Sequence, residues 1–187
     1  MKSTFTTLSH KCSKITTETY STSFSFGIKA LHQKLHEPIY AIYGFVRFSD
    51  EIADSFHDHN KLQLLKKFES DCFQAIHDGI SLNPILNSFQ NVVNKYNIDH
   101  LLIQSFLESM YMDLNENQNY DQEKYEKYIL GSAEVVGLMC LKVFVEKNDK
   151  LYNELKPLAK KLGSAFQKVN FLRDLKSDYV NLGRVYF

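Results

Sequence analysis

Apolar residues recur three and four apart through most of the chain, the period of helices with one buried face. Leu64, Leu65, Phe68, Cys72 and Ile76 predict a helix from Asn60 to about Gly79, and Leu86, Phe89 and Val93 one that starts at Asn83-Pro84. Asp99 is placed to cap a further helix carrying Leu102, Ile103, Phe106, Leu107 and Met110. Upstream, Pro38 suits the first turn of a helix bearing Ile39, Ile42, Tyr43 and Val46. Ser21-Thr22-Ser23-Phe24 can cap a helix reaching about Leu35, and residues 1–20 read as a short leading helix or arm. Downstream, Asn115 to Asn119 read as a polar loop, followed by a long helix from about Asp121 to Lys147. Pro157 is placed to open the last helix, Leu158 to about Val180, which Asn181-Leu182-Gly183 ends.

The long helix is unusual in its middle, at Gly131-Ser132-Ala133-Glu134-Val135-Val136-Gly137. A glycine inside a helix costs about 1 kcal/mol, so two of them need a reason. Close helix–helix packing is the favoured one; room for a ligand beside Tyr128 is the other. Glu134 fits neither well.

Composition narrows the class. With 187 residues the chain is long enough for one domain burying a sizeable core, and residues 1–187 are read as a single domain. Twenty-two acidic and 22 basic residues leave no net charge, hence no footprint for nucleic acid. Only 7 glycines and 3 prolines argue against a turn-rich β fold. Cys12, Cys72 and Cys140 are odd in number and far apart, which suggests neither zinc nor a disulfide framework and points to a reducing cytoplasm. Residues 1–10 lack the apolar core of a signal peptide, and no apolar run reaches a membrane span. His32/His36 and His57/His59 have no cysteine or carboxylate at a ligand spacing and read as surface pairs. No P-loop, dinucleotide fingerprint or nucleophile elbow occurs.

What remains is a repeated acidic pattern. Asp50 and Asp54 form one D-x-x-x-D pair, Asp174 and Asp178 another. On a helix, Tyr43, Arg47, Asp50 and Asp54 share an arc of about 60°, as do Gln167, Asn170, Asp174 and Asp178. Carboxylates four apart stand about 6 Å apart and repel by roughly 3 kcal/mol at an effective dielectric near 20. A lone pair of this kind is usually a solvated face. The arginines change the balance: Arg47, Arg173 and Arg184 are the chain's only three, all within or just after these segments. Arginine's planar fork suits phosphate oxygens, and carboxylates with waters suit Mg²⁺. Together they describe a site for magnesium and a diphosphate.

The order Ser21-x-Ser23-Phe24, Tyr40-Ala41-Ile42-Tyr43, Arg47-x-x-Asp50-x-x-x-Asp54, Tyr128, Gln167-x-x-Asn170-x-x-Arg173-Asp174-x-x-x-Asp178 and Gly183-Arg184-Val185-Tyr186 resembles the squalene/phytoene synthase family. The resemblance implies an all-α isoprenoid-synthase bundle around a central cavity, with the two aspartate motifs facing each other near its mouth. It makes Asp50, Asp54, Asn170, Asp174 and Asp178 the Mg²⁺ ligands, with Mn²⁺ able to substitute. Ser21, Ser23, Tyr43, Arg47, Gln167 and Arg173 become the diphosphate contacts, and Tyr128 the catalytic tyrosine beside them. Phe24, Ser132, Ala133, Val136 and Gly137 would line the slot for the isoprenoid tails.

The implied reaction joins two prenyl diphosphates head to head through a cyclopropyl diphosphate. Two geranylgeranyl diphosphates giving phytoene is the leading expectation. Squalene or dehydrosqualene from two farnesyl diphosphates is the alternative, with NADPH needed only for squalene. A non-catalytic helical binding or assembly subunit is the reading from another class. A hydrophobic product implies peripheral contact with a membrane, and oligomeric state is left open. Two departures stand out. Glu134 sits where many members have glycine, and the family normally continues for several helices beyond this point, so the chain is expected to be incomplete at its C-terminus.

Overall fold

The computed structural model describes residues 2–114 and 122–177, with the side chains of 3–114 and 122–173. Every regular element among them is helical, as expected: α1 (Lys2–Tyr20), α2 (Thr22–Ala30), α3 (His36–Asp54), α4 (Lys61–Asp78), α5 (Pro84–Tyr96), α6 (His100–Asp113), α7 (Gln122–Ile129), α8 (Val135–Phe144) and α9 (Asp149–Ser177). A 3₁₀ turn at Gln33–Leu35 precedes α3, and a π turn at Leu130–Glu134 joins α7 to α8. The chain groups into two compact units, residues 1–98 with 142–147, and residues 99–141 with 148–187.

In the first unit α3 packs against α1, α4 and α5. Phe45 is its centre, fully buried and stacked on Phe89 with centroids 4.0 Å apart and on Phe68 at 5.7 Å. The caps fall where the sequence puts them. Asn60 Oδ1 accepts from Gln63 N, Asn83 Oδ1 from Ile85 N, and Gly79 ends α4 in the left-handed conformation that glycine adopts without penalty. α1 is a complete helix whose inward stripe is polar: Ser9, Ser13 and Thr17 are fully buried. Ser9 and Thr17 donate to carbonyls one turn back, and Asn87 Nδ2 donates to Ser9 Oγ at 2.9 Å. Small side chains let α1 lie close to α3, where a Cβ on Gly44 would stand 3.2 Å from Ser13 Oγ.

In the second unit the π turn packs between α6 and α9. Its core holds Ile103, Phe106, Leu107, Tyr128, Ile129, Met139 and Phe171. Asp99 caps α6 by accepting from Leu101 N.

Three expected boundaries are corrected. The helix after Ser21 ends at Ala30, not Leu35: Leu31 turns extended, and His32 Nδ1 caps the 3₁₀ turn by accepting from Lys34 N. The helix expected to run to Lys147 stops at Phe144, and Glu146 and Lys147 take positive φ. Pro157 lies inside α9 rather than opening it. Asn148, whose Oδ1 accepts from Leu151 N, supplies the start signal two turns earlier. The polar loop at 115–119 and the end of the last helix near Val180 lie outside the described residues.

All three cysteines are free. Burial pushes the Cys72 thiol well up and the Cys140 thiol up to about 12. Thiolate is the reactive form. The first thiol to react with an aromatic disulfide reagent near neutral pH is therefore expected to be Cys12, and Cys12→Ser should abolish that phase. A fast phase surviving the substitution would assign the reactive thiol to Cys72 or Cys140.

Candidate functional site

Ser21 is the N-cap of α2, its Oγ accepting from Phe24 N at 3.2 Å. The Tyr43 hydroxyl of α3 lies near the same hydroxyl, and the Phe24 and Tyr43 rings meet at 5.4 Å. One turn beyond Tyr43 stands Arg47, half-buried, and then Asp50, whose charge acts on both. Two stretches separated by some twenty residues of sequence thus converge: Ser21, Phe24, Tyr43, Arg47 and Asp50 form one contiguous group. Asp54 ends α3 a turn further on. Ser23 lies exposed in the first turn of α2.

The group combines one retained positive charge with neighbouring carboxylates. Burial raises the Tyr43 pKa, so its hydroxyl stays protonated. Burial alone would lower Arg47, but the hydrogen bond to Glu51 and the charges of Asp50 and Glu51 outweigh it and keep the guanidinium charged. Glu51 was not legible as a site residue, though its i, i+4 relation to Arg47 could have flagged it. Tyr20, beneath the Arg47 guanidinium, carried no sequence signal beyond preceding Ser21.

In the second unit Tyr128 is buried. Its hydroxyl donates to Asp113 Oδ2 at 3.1 Å, and its ring stacks on Phe171 at 6.1 Å, within the second motif. Asp113 is a tertiary partner that no sequence spacing pointed to. Gln167 and Asn170 are half-buried on α9, and Arg173 is exposed. Asp174 lies on α9 with its side chain outside the described set, and Asp178 lies outside it altogether. Among the described residues no group of three or more His, Cys, Asp or Glu could hold a metal ion.

The small residues serve close packing. A Cβ on Gly131 would stand 2.6 Å from Ser105 O, and one on Gly163 would stand 2.8 Å from Ala133 O. Gly137 faces Ala159 O at 3.2 Å by the same measure. Ser132 donates to the Tyr128 carbonyl, and Val136 is half-buried. Glu134, anomalous in sequence, is explained: it pairs with Lys160 of α9 at 3.0 Å and helps fix the π turn to that helix.

Residues 17–187 match the family model for squalene/phytoene synthase. The chain belongs to the squalene/phytoene synthase family. Relatives in the family include the 4,4'-diapophytoene synthase of Staphylococcus haemolyticus, 26% identical over 173 residues, covering 90% of this chain and 58% of the relative. The phytoene synthase of Mycobacterium tuberculosis is 24% identical over 172 residues, covering 91% and 54%. This family member therefore spans little more than half the length of these relatives. Among solved structures, a dehydrosqualene synthase in complex with ligand superposes with a TM-score of 0.84 at 24% identity, covering 97% of this chain and 61% of that one. The squalene synthase HpnC from Alicyclobacillus acidocaldarius gives 0.82 at 21%, covering 95% and 65%. The fold is thus the all-α fold of these synthases. No helix among the described residues is long and apolar enough to cross a membrane.

Proposed function

We propose that this chain carries the head-to-head condensation of two prenyl diphosphates, with a cyclopropyl diphosphate as intermediate and a 1-1′ linked hydrocarbon as product. The observation that carries the reading is the convergence of Ser21, Tyr43, Arg47 and Asp50 from three motif blocks of a matched family. Hydroxyl donors, a charged guanidinium and a neighbouring carboxylate suit a diphosphate accompanied by a divalent cation.

In this reading Ser21, Ser23, Tyr43, Arg47, Gln167 and Arg173 bind diphosphate oxygens. Asp50, Asp54, Asn170, Asp174 and Asp178 offer the oxygen donors that Mg²⁺ or Mn²⁺ prefers. The cation, when bound, supplies charge to stabilise the departing diphosphate. Arg47 contributes fixed positive charge at the leaving group without needing to transfer a proton. Tyr128, aimed by Asp113 and braced by Phe171, presents a hydroxyl and a π face near the allylic cation. Phe24, Ser132, Ala133, Val136 and Gly137 line the slot for the tails and keep water from the cation.

Geranylgeranyl diphosphate, giving phytoene, is the proposed substrate. The test is product analysis with labelled geranylgeranyl and farnesyl diphosphates, with and without Mg²⁺, with NADPH added in a further arm. The expected result is magnesium-dependent diphosphate release with a 1-1′ hydrocarbon from the longer substrate. Dehydrosqualene or squalene from the shorter one alone would correct the chain length, and binding without release in every arm would make the chain a binding subunit.

A further inference from the structure

Arg47 is restrained on several sides by groups that the functional reading does not use. Its Nη2 donates to Glu51 Oε2, one turn further along α3. Its guanidinium carbon lies 4.3 Å from the ring centroid of Tyr20, at the end of α1. Glu51 also lies near the hydroxyls of Tyr20 and Ser55. The guanidinium is thus held from two sides, by the Tyr20 ring beneath it and by Glu51 at its edge. Arg47 Nε is buried among these groups with no hydrogen-bond partner.

Resting on the reading of Arg47 as a diphosphate ligand, we infer that Glu51 and Tyr20 are positioning residues that fix the plane of the Arg47 guanidinium for a diphosphate group. An unrestrained arginine loses much rotamer freedom when it is ordered. Here that ordering is complete before the ligand arrives, so binding does not bear it again. The ring fixes the plane by cation–π contact, and the carboxylate takes one of five N–H donors and fixes rotation within that plane.

The opposite role for Glu51 is that of a competitor, an internal anion the diphosphate must displace. Its surroundings argue against this. A carboxylate whose side chain is only 20% exposed, with the Tyr20 and Ser55 hydroxyls near it, has little room to swing away. The two roles give opposite signs in one measurement.

The experiment is titration calorimetry of the full chain with inorganic pyrophosphate and Mg²⁺, using R47A, E51Q, Y20L, Y20F and the doubles R47A/E51Q and R47A/Y20L. R47A should weaken binding at least about tenfold, the loss of a charge-assisted pair. E51Q and Y20L should each weaken it about three- to tenfold in the parent background and leave R47A unchanged, because both act through the guanidinium. Y20F, which keeps the ring, should have a smaller effect than Y20L. Tighter binding by E51Q, or losses that add to R47A in both doubles, would overturn the positioning role while leaving the diphosphate reading intact. Parent-like affinity in R47A would overturn that reading and the inference with it. Should E51Q prove unfolded by circular dichroism, the Y20L pair decides alone, since it perturbs the guanidinium from another helix.

Discussion

Asp50→Asn should leave α3 folded and cut turnover by roughly three orders of magnitude, about 4 kcal/mol of transition-state stabilisation. The substitution keeps size and shape and removes one ligand charge. α3 is held by its other face, where Tyr40, Ala41, Ile42, Phe45, Ile52 and Ala53 are buried, so the thermal melt should move by no more than a few degrees. Arg47 loses one of its two neighbouring carboxylates but keeps Glu51. Weakened metal binding has its own signature, because losing a ligand raises the magnesium concentration needed for half-maximal rate, by about 10- to 100-fold. Asp54→Asn should behave alike. Turnover assays across a magnesium titration check this. An unchanged magnesium requirement with lowered turnover would leave Asp50 a substrate-orienting group, and full activity in both variants would remove the first motif from the chemistry.

The helices were legible because their signals are local. Asn60, Asn83 and Asp99 stand where a cap must stand, and Pro84 and Gly79 mark a start and a stop that depend on one residue's own backbone. Where the sequence reading of boundaries failed, a competing local interaction decided. The imidazole of His32 capped a short 3₁₀ turn and ended α2 early, and Asn148 started α9 before Pro157 could. The polar stripe Ser9, Ser13 and Thr17 is the opposite case. Period-based reading sees hydroxyls and expects solvent, whereas tight helix approach favours small side chains, and here the Ser9 and Thr17 hydroxyls bond back to their own helix.

The candidate site divides in the same way. Ser21, Tyr43, Arg47 and Asp50 were picked out by residue type and order, and the structure places them near one another. Glu51, Tyr20 and Asp113 escaped, since each acts on another side chain rather than on a ligand. Glu134 shows what a partner adds: a carboxylate with no local reason becomes an ion pair once Lys160 lies beside it.

The packing of the π turn leads to the second large expected effect. Gly131→Ala would push a Cβ to 2.6 Å from Ser105 O and 2.8 Å from Ser109 Cβ, and Gly163→Ala to 2.8 Å from Ala133 O and 3.1 Å from Glu134 Cα. The nearest atoms are backbone carbonyls, a Cα and a Cβ, none of which can rotate out of the way, so whole helices must separate. Overpacking of this kind costs about 2–3 kcal/mol. In a chain of this size that lowers the melting temperature by roughly 5–10 °C. Gly137→Ala, with Ala159 O at 3.2 Å, should cost less. Gly27 is the control: it lies in α2 with nothing within 4 Å, so an added methyl meets no neighbour. Gly27→Ala should stabilise by about 0.5–1 kcal/mol, since alanine has fewer unfolded conformations to lose. Thermal and urea melts of the four variants measure the ordering directly. If Gly131→Ala and Gly163→Ala melt with the parent, α6 and α9 approach the π turn less closely than this packing requires.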